Sequence, residues 1–236
     1  MRFVPVDGIE EGHLVGLVEA GVAEGREIDY KLTLPGGSDA DTREFLADVS
    51  SFANAGGGDV VFGVDEAEGT PTGVPGLDED LDAAVLRLEG SIRDGVEPRI
   101  QGIRSRAVPL AGGRSALVLR IPRSFSRPHV VVFKNWSRFF TRSSNGKHQM
   151  DVDEVRAAFL GSEAIAERVR AFRADRLGRI VSGEGSATLE GSARAVLHVV
   201  PLSAFDSPPP FVDLQTEYAL RLLRPPLSLL QLLSLH

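Results

Sequence analysis

Residues 52–65, Phe-Ala-Asn-Ala-Gly-Gly-Gly-Asp-Val-Val-Phe-Gly-Val-Asp, constrain this chain more than any other stretch. They read as the end of an amphipathic helix, a turn of three glycines and a short apolar strand that delivers the carboxylate of Asp65 at its far end. A helix that hands its chain to a strand so quickly needs backbone at positive φ, which Gly56, Gly57 and Gly58 supply without the penalty of a Cβ. The same glycines, with Asn54 beside them, would also let a phosphate or a second backbone come close. The turn alone does not separate these two uses. It is not a P-loop, because no Gly-Lys-Ser/Thr follows, and its order of helix, turn and strand differs from that of the dinucleotide-binding fingerprint.

Charge is the second constraint. The net charge of -7 conceals a segregation along the chain: residues 1–98 hold 22 acids and 6 bases, residues 99–150 hold 11 bases and no acid, and residues 151–236 hold 11 acids and 9 bases. Mixed signs are the rule on a surface that meets no polyanion. The middle segment therefore points to a nucleic-acid partner, unless the fold pairs its bases with the acidic first segment. Without a single cysteine, the chain can form neither disulfides nor zinc-thiolate sites and has no thiol nucleophile. The five histidines are scattered without metal-ligand spacing. No charged-then-apolar leader opens the chain and no run reaches the roughly 18 to 20 apolar residues of a membrane helix, so the expectation is a cytoplasmic protein with no membrane partner.

Taken in order, helical spacing of Leu14, Leu17 and Val18 predicts a helix over about residues 10–22. From Ile28 the pattern alternates, which predicts a strand with Ile28, Tyr30, Leu32 and Leu34 facing a core and Asp29, Lys31 and Thr33 on the other face. Phe45, Val49 and Phe52 mark a helix over about 41–55, followed by the strand 59–64, an acidic loop to Leu77 and a helix over about 80–93. The basic segment reads as a β-meander with strands at 100–110, 115–121, 130–133 and 138–142 and a turn at 143–147. A short helix over 150–160, a longer one capped by Ser162 and running to about Leu177, and a strand over 194–201 follow. Residues 203–236, Pro-rich and then Leu-rich, read as a tail or as the stub of a further domain. The expected fold is α+β, a central mixed β-sheet with helices packed on it, with one principal domain over residues 8–160 and a helix-and-strand extension over 161–202.

Three blocks together resemble the Schlafen AlbA-2 domain, a nucleic-acid-binding module common in bacterial proteins and similar to the nuclease core of animal Schlafen proteins. Residues 24–31 stand where the family has a Glu and then Glu-Phe-Lys. Residues 52–65 stand where it has Phe-Ala-Asn, glycines and an apolar strand ending Gly-Val-Asp. Residues 138–150 stand where it has an aromatic pair, an Arg, a Ser/Gly turn and a Met. The resemblance covers roughly residues 8–160 and implies a three-carboxylate site at Glu24, Asp29 and Asp65. Asp29 and Tyr30 depart from the family's Glu and Phe, and the shorter Asp side chain draws its charge back by one methylene. Hard oxygen ligands of this kind hold Mg²⁺ or Mn²⁺, which would activate water at a scissile phosphate, and Lys31 on the face of Asp29 would contact that phosphate.

Three functions follow as expectations. The first is a nucleic-acid-binding protein, regulatory or defence-related, contacting the phosphate backbone of DNA or RNA through Arg104, Arg106, Arg123, Arg127, Lys134, Arg138, Arg142 and Lys147. The second is a Mg²⁺- or Mn²⁺-dependent endonuclease using Glu24, Asp29, Asp65 and Lys31. The third is an ATP-binding regulator, which the missing P-loop lysine disfavours. Outside the nuclease reading no cofactor is expected. The sequence sets neither DNA against RNA nor the oligomeric state.

Overall fold

Alternation along the strands gives the first sheet two apolar faces, and the fold is organised around covering both. In the computed structural model, which describes residues 4–184 and 197–205, the elements run α1 (Glu11–Glu19), β1 (Ile28–Lys31), α2 (Asp39–Asn54), β2 (Gly57–Phe62), β3 (Asp65–Ala67), β4 (Thr70–Gly73) and α3 (Leu81–Gly95). Then come β5 (Val96–Glu97), β6 (Arg104–Pro109), β7 (Ser115–Pro122), β8 (Val130–Phe133), β9 (Trp136–Ser143), β10 (Gly146–Gln149) and α4 (Val152–Ser182). The described residues fall into two compact units that divide between Ala166 and Glu167.

The first sheet has the order β1-β2-β7-β6; β1 and β2 are parallel and the other pairs antiparallel. Val60, Phe62, Leu117, Leu119 and Ile121 point to one side, against α2 and α3. Their strand neighbours Val61, Val118 and Ala116 point to the other, with Leu14 and Leu17 of α1 and with Ile28 and Tyr30 of β1. A second, antiparallel sheet of order β10-β9-β8-β5 lies across α2, adding Val131, Phe133, Trp136 and Phe140 to the larger core. The α+β class is therefore as expected, a mixed sheet with helices packed on it, joined by a second sheet.

Several elements differ from the sequence expectation for physical reasons. The basic segment is not one meander: β6 and β7 form a hairpin in the first sheet, while β8, β9 and β10 belong to the second. The 65–77 stretch is not a plain loop, since β3 and β4 pair as a hairpin with Glu68 and Gly69 at positive φ in its turn. Strand β1 stops at Lys31, leaving Leu32 exposed, and it is buried on both faces instead of one. The helices expected on either side of Ser162 are a single helix, because the Ser162 hydroxyl donates to the Phe125 carbonyl at 2.8 Å instead of capping a new N-terminus. The strand expected over 194–201 falls partly outside the described residues; residues 197–200 carry no strand, and of the 203–236 tail only the 3-10 turn Leu202–Phe205 is described. Among the described residues the second unit holds that turn, residues 197–201 and α4 from Glu167 onward, and Phe172 meets the Phe205 ring edge-on at 5.5 Å.

The glycine turn is explained by internal packing. A Cβ on Gly57, at φ +76°, would lie 2.5 Å from the Arg123 amide nitrogen, and one on Gly58 would lie 2.4 Å from the Phe52 ring. Only Gly56 opens onto space, with nothing within 4 Å of its virtual Cβ. Asn54, the last residue of α2, is buried and works inward. Its amide donates to the carbonyls of His129 at 2.9 Å and Phe140 at 2.8 Å, and its carbonyl accepts the His129 N–H at 2.7 Å. Its side chain therefore fastens the helix end to the second sheet. Asn54→Ala leaves these buried groups without partners and is expected to destabilise the protein by about 2–4 kcal/mol, measurable as a lowered urea midpoint at unchanged slope.

Candidate functional site

Three elements converge on one ionic network, buried at Asp29, Asp48 and Arg142 and open to solvent at Glu44. β1 contributes Asp29 and Lys31, α2 contributes Glu44 and Asp48, and the hairpin of β9 and β10 contributes Arg142 and Lys147. The Arg142 guanidinium lies 2.7 Å from the Asp29 carboxylate and 3.7 Å from Asp48, donates through Nε to the Gly25 carbonyl at 2.9 Å, and stacks over the Phe52 ring at 4.1 Å. Lys147 meets Asp48 at 2.8 Å and Glu44 at 2.6 Å, and Lys31 pairs with Asp29. Asp29 and Asp48 are each less than 5% exposed. Burial works against the Asp29 carboxylate, but the charges of Arg142 and Lys31 outweigh it and hold its pKa below the ordinary aspartate value. Burial lowers the Lys31 pKa, yet Asp48 and Asp29 more than reverse this and raise it. Asp48 is pushed upward, by burial first and then by the charge of Asp29, against the pull of Lys147 and Lys31.

Glu24 stands at the margin of this network. One of its oxygens accepts the Tyr30 N–H at 2.6 Å, and its own N–H donates to Gly69 at 2.7 Å, so it sits beside the turn of the β3–β4 hairpin. Its pKa is pushed up to about 7, by partial burial and by the charge of Asp29, against the lowering effects of the Tyr30 hydrogen bond and of Lys31. Burial is the first cause, and the balance of charge adds to it. Lys31, Arg142 and Lys147 balance Asp29, Asp48 and Glu44, which leaves Glu24 as the one carboxyl of the group without a cation of its own.

The structure brings Glu24, Asp29 and Lys31 together but does not add Asp65 to them. Asp65 begins β3, is exposed, and turns its carboxylate onto the neighbouring Glu66 N–H at 3.1 Å. Among the described residues no three His, Cys, Asp or Glu side chains are placed to hold one metal ion, so this arrangement does not fit the three-carboxylate ligand set. The candidate phosphate-binding bases divide. Arg104 and Arg138 are exposed, as is Lys134, which pairs with Asp39; Arg106, Arg123 and Arg127 are half-buried. Arg142 is buried in the network and Lys147 is nearly so, and both are engaged by carboxylates of the first segment. The sequence reading passed over Asp48 and Glu44. Asp48 carried a signal, because it stands three residues after Phe45 and four before Phe52, inside the apolar stripe of α2.

Because the Glu24 pKa is raised above its unfolded value, the folded state holds the extra proton between about pH 4.5 and 7. The associated stability is present below that window and lost as pH rises through it. Glu24→Gln removes the titration while keeping an acceptor for Tyr30. Relative to wild type, the variant is expected to gain about 1 kcal/mol between pH 5 and pH 8, after allowance for solvent screening, as read from urea midpoints at the two pH values.

Solved structures of similar chains include the DIP2311 protein of Corynebacterium diphtheriae, at 15% identity and a TM-score of 0.38, covering 59% of this chain and 29% of that one. They also include the N-terminal domain of a Nitrosomonas europaea protein described as related to the ATP-dependent DNA helicase RecG, at 21% identity and a TM-score of 0.38, covering 49% of this chain and 74% of that one. The chain thus spans less than a third of the length of the first of these. No curated protein matches it. The model of one family, Schlafen AlbA_2, matches residues 24–151, more than half of the sequence, from Glu24 through β10 to Asp151. The chain belongs to the Schlafen AlbA_2 family.

Proposed function

We propose that this protein binds nucleic acid through the phosphate backbone. One observation carries the reading: residues 99–150 contain no carboxylate, and part of their positive charge remains at the surface after the internal pairs are made. Arg120 is held by Asp59 in a bidentate pair at 2.7 and 2.9 Å, Arg142 by Asp29, and Lys147 by Asp48 and Glu44. Arg99, Arg104 and Arg138 stay exposed, and exposed arginines on a segment without acids favour a polyanion. Family membership supports the same class of partner. No described helix is long and apolar enough to cross a membrane.

A second reading, hydrolysis of phosphodiester bonds with Mg²⁺ or Mn²⁺, is favoured by the Glu24 and Asp29 carboxyl groups lying together beside Lys31. It would need a ligand set different from the one in this arrangement, because among the described residues no three carboxylates are placed to share a metal ion. The two readings separate in one experiment. Labelled tRNA, single-stranded DNA and duplex DNA are incubated with wild type and Glu24→Gln, in Mn²⁺ or in EDTA, across a salt series. Backbone binding predicts retention that needs no metal and is kept in Glu24→Gln. Its affinity should fall by about tenfold or more between 50 and 200 mM salt, the response of a protein that neutralises several phosphates. Cleavage that requires Mn²⁺ and is lost in Glu24→Gln would establish the nuclease instead. No retention and no cleavage would sink both.

A further inference from the structure

The register of the first sheet places Ile28, Asp59, Arg120 and Arg104 side by side across β1, β2, β7 and β6, on the face that α1 covers. This row borders a cleft of about 480 Å³ with an apolar wall of Leu17, Val22, Ile28 and Pro122, and with Arg104 and Arg123 among its lining. A neighbouring cleft of about 350 Å³ carries Arg93 and Arg99, and the two adjoin at Gly102, which lines both. Acids accompany these bases: Asp59 is paired with Arg120, Arg93 is bonded to Asp94, which also feels the charge of Arg99, and Glu27 and Glu89 line the clefts. Arg104 lies 3.8 Å from Asp7, a loose pair between two exposed side chains that a phosphate can displace.

We propose that the adjoining clefts are the track of a single nucleic-acid strand, with phosphates on Arg99 and Arg104 and one unstacked base against the apolar wall. This rests on the reading of the protein as a nucleic-acid binder. A duplex keeps its bases stacked inside and offers only ridges of phosphate, so it has no use for an apolar concavity. A single strand can turn a base out onto such a wall while its backbone follows the arginines. The acidic network does not compete for the same strand. Successive residues of β1 point to opposite faces, so Ile28 borders the track while Asp29 faces α2 and Arg142.

Fluorescence anisotropy with labelled oligo-U, oligo-dT and a duplex of the same length tests the track. Wild type should bind either single strand more tightly than the duplex. Arg99→Glu/Arg104→Glu should weaken single-strand binding by about tenfold or more and reduce the salt slope by about one per arginine. Val22→Trp, a substitution at an exposed wall position, should weaken single-strand binding by about threefold or more, in the range of a lost base contact, and leave the salt slope unchanged. Arg156→Glu/Arg170→Glu on α4 carries the same change of net charge and should stay within about twofold of wild type. The track is overturned if wild type binds but Arg99→Glu/Arg104→Glu does so equally well. It is also overturned if Lys134→Glu/Arg138→Glu costs more than Arg99→Glu/Arg104→Glu, or if Val22→Trp has no effect. Failure of wild type to bind any of the three probes would instead remove the nucleic-acid reading itself.

Discussion

The buried guanidinium of Arg142 is the interaction on which the rest of the structure depends. It draws β9 to β1 through Asp29 and the Gly25 carbonyl, and to α2 through Asp48 and the Phe52 ring. A charge so removed from water costs several kcal/mol of desolvation, which only close partners of opposite sign can offset. The geometry of arginine suits the task, since a planar fork can serve a carboxylate and a carbonyl while its face lies on an aromatic ring. Once Arg142 is in place, the hairpin that carries it brings Lys147 over Asp48 and Glu44, and the second sheet is set against α2. The Glu24 pKa, pushed up to about 7, follows from its partial burial first and from the charge of Asp29 beside it.

The segregation of charge along the sequence thus has two consequences in space. Part of the basic segment is the counter-charge of the acidic first segment, through Arg120 with Asp59, Arg142 with Asp29, Lys147 with Asp48 and Lys134 with Asp39. Such pairs knit together stretches 61 to 113 residues apart. Others stay at the surface: Arg99 and Arg138 are exposed, and so is Arg104, which only loosely meets Asp7 at 3.8 Å.

The alternation of Ile28 and Tyr30, the stripe of Phe45, Val49 and Phe52, and the helix-to-strand turn were legible because each is a local pattern with a local physical cause. The second sheet was not legible, because nothing in the run from β6 to β10 marks where pairing passes from one sheet to the other. The single helix α4 was hidden by Ser162, whose hydroxyl finds a partner 37 residues away and so never competes for the helix backbone. In the candidate site, the proximity of Glu24 to Asp29 and Lys31 followed from short separations along the chain. The partners from α2 and β10 required tertiary contacts that no spacing encodes. Asn54 was misleading for the same reason: beside three glycines it suggested a ligand, but its partners are His129 and Phe140.

The two candidate surfaces lie on opposite faces of one strand, and that separation constrains mechanism. The apolar wall uses Ile28, the ionic network uses Asp29, and the two are consecutive residues of β1. A strand held along Arg99 and Arg104 would have to pass round the edge formed by β1 to bring a phosphate to Glu24. That edge is flanked by Gly25 and by the β9–β10 turn, where the Ser144 carbonyl lies 3.5 Å from a virtual Cβ on Gly25. Binding along the track therefore needs none of the carboxylates, and the network can hold its ion pairs while a strand is bound. Any chemistry at Glu24 would depend on how far a bound strand extends past β1, so substrate length, more than affinity, would govern it.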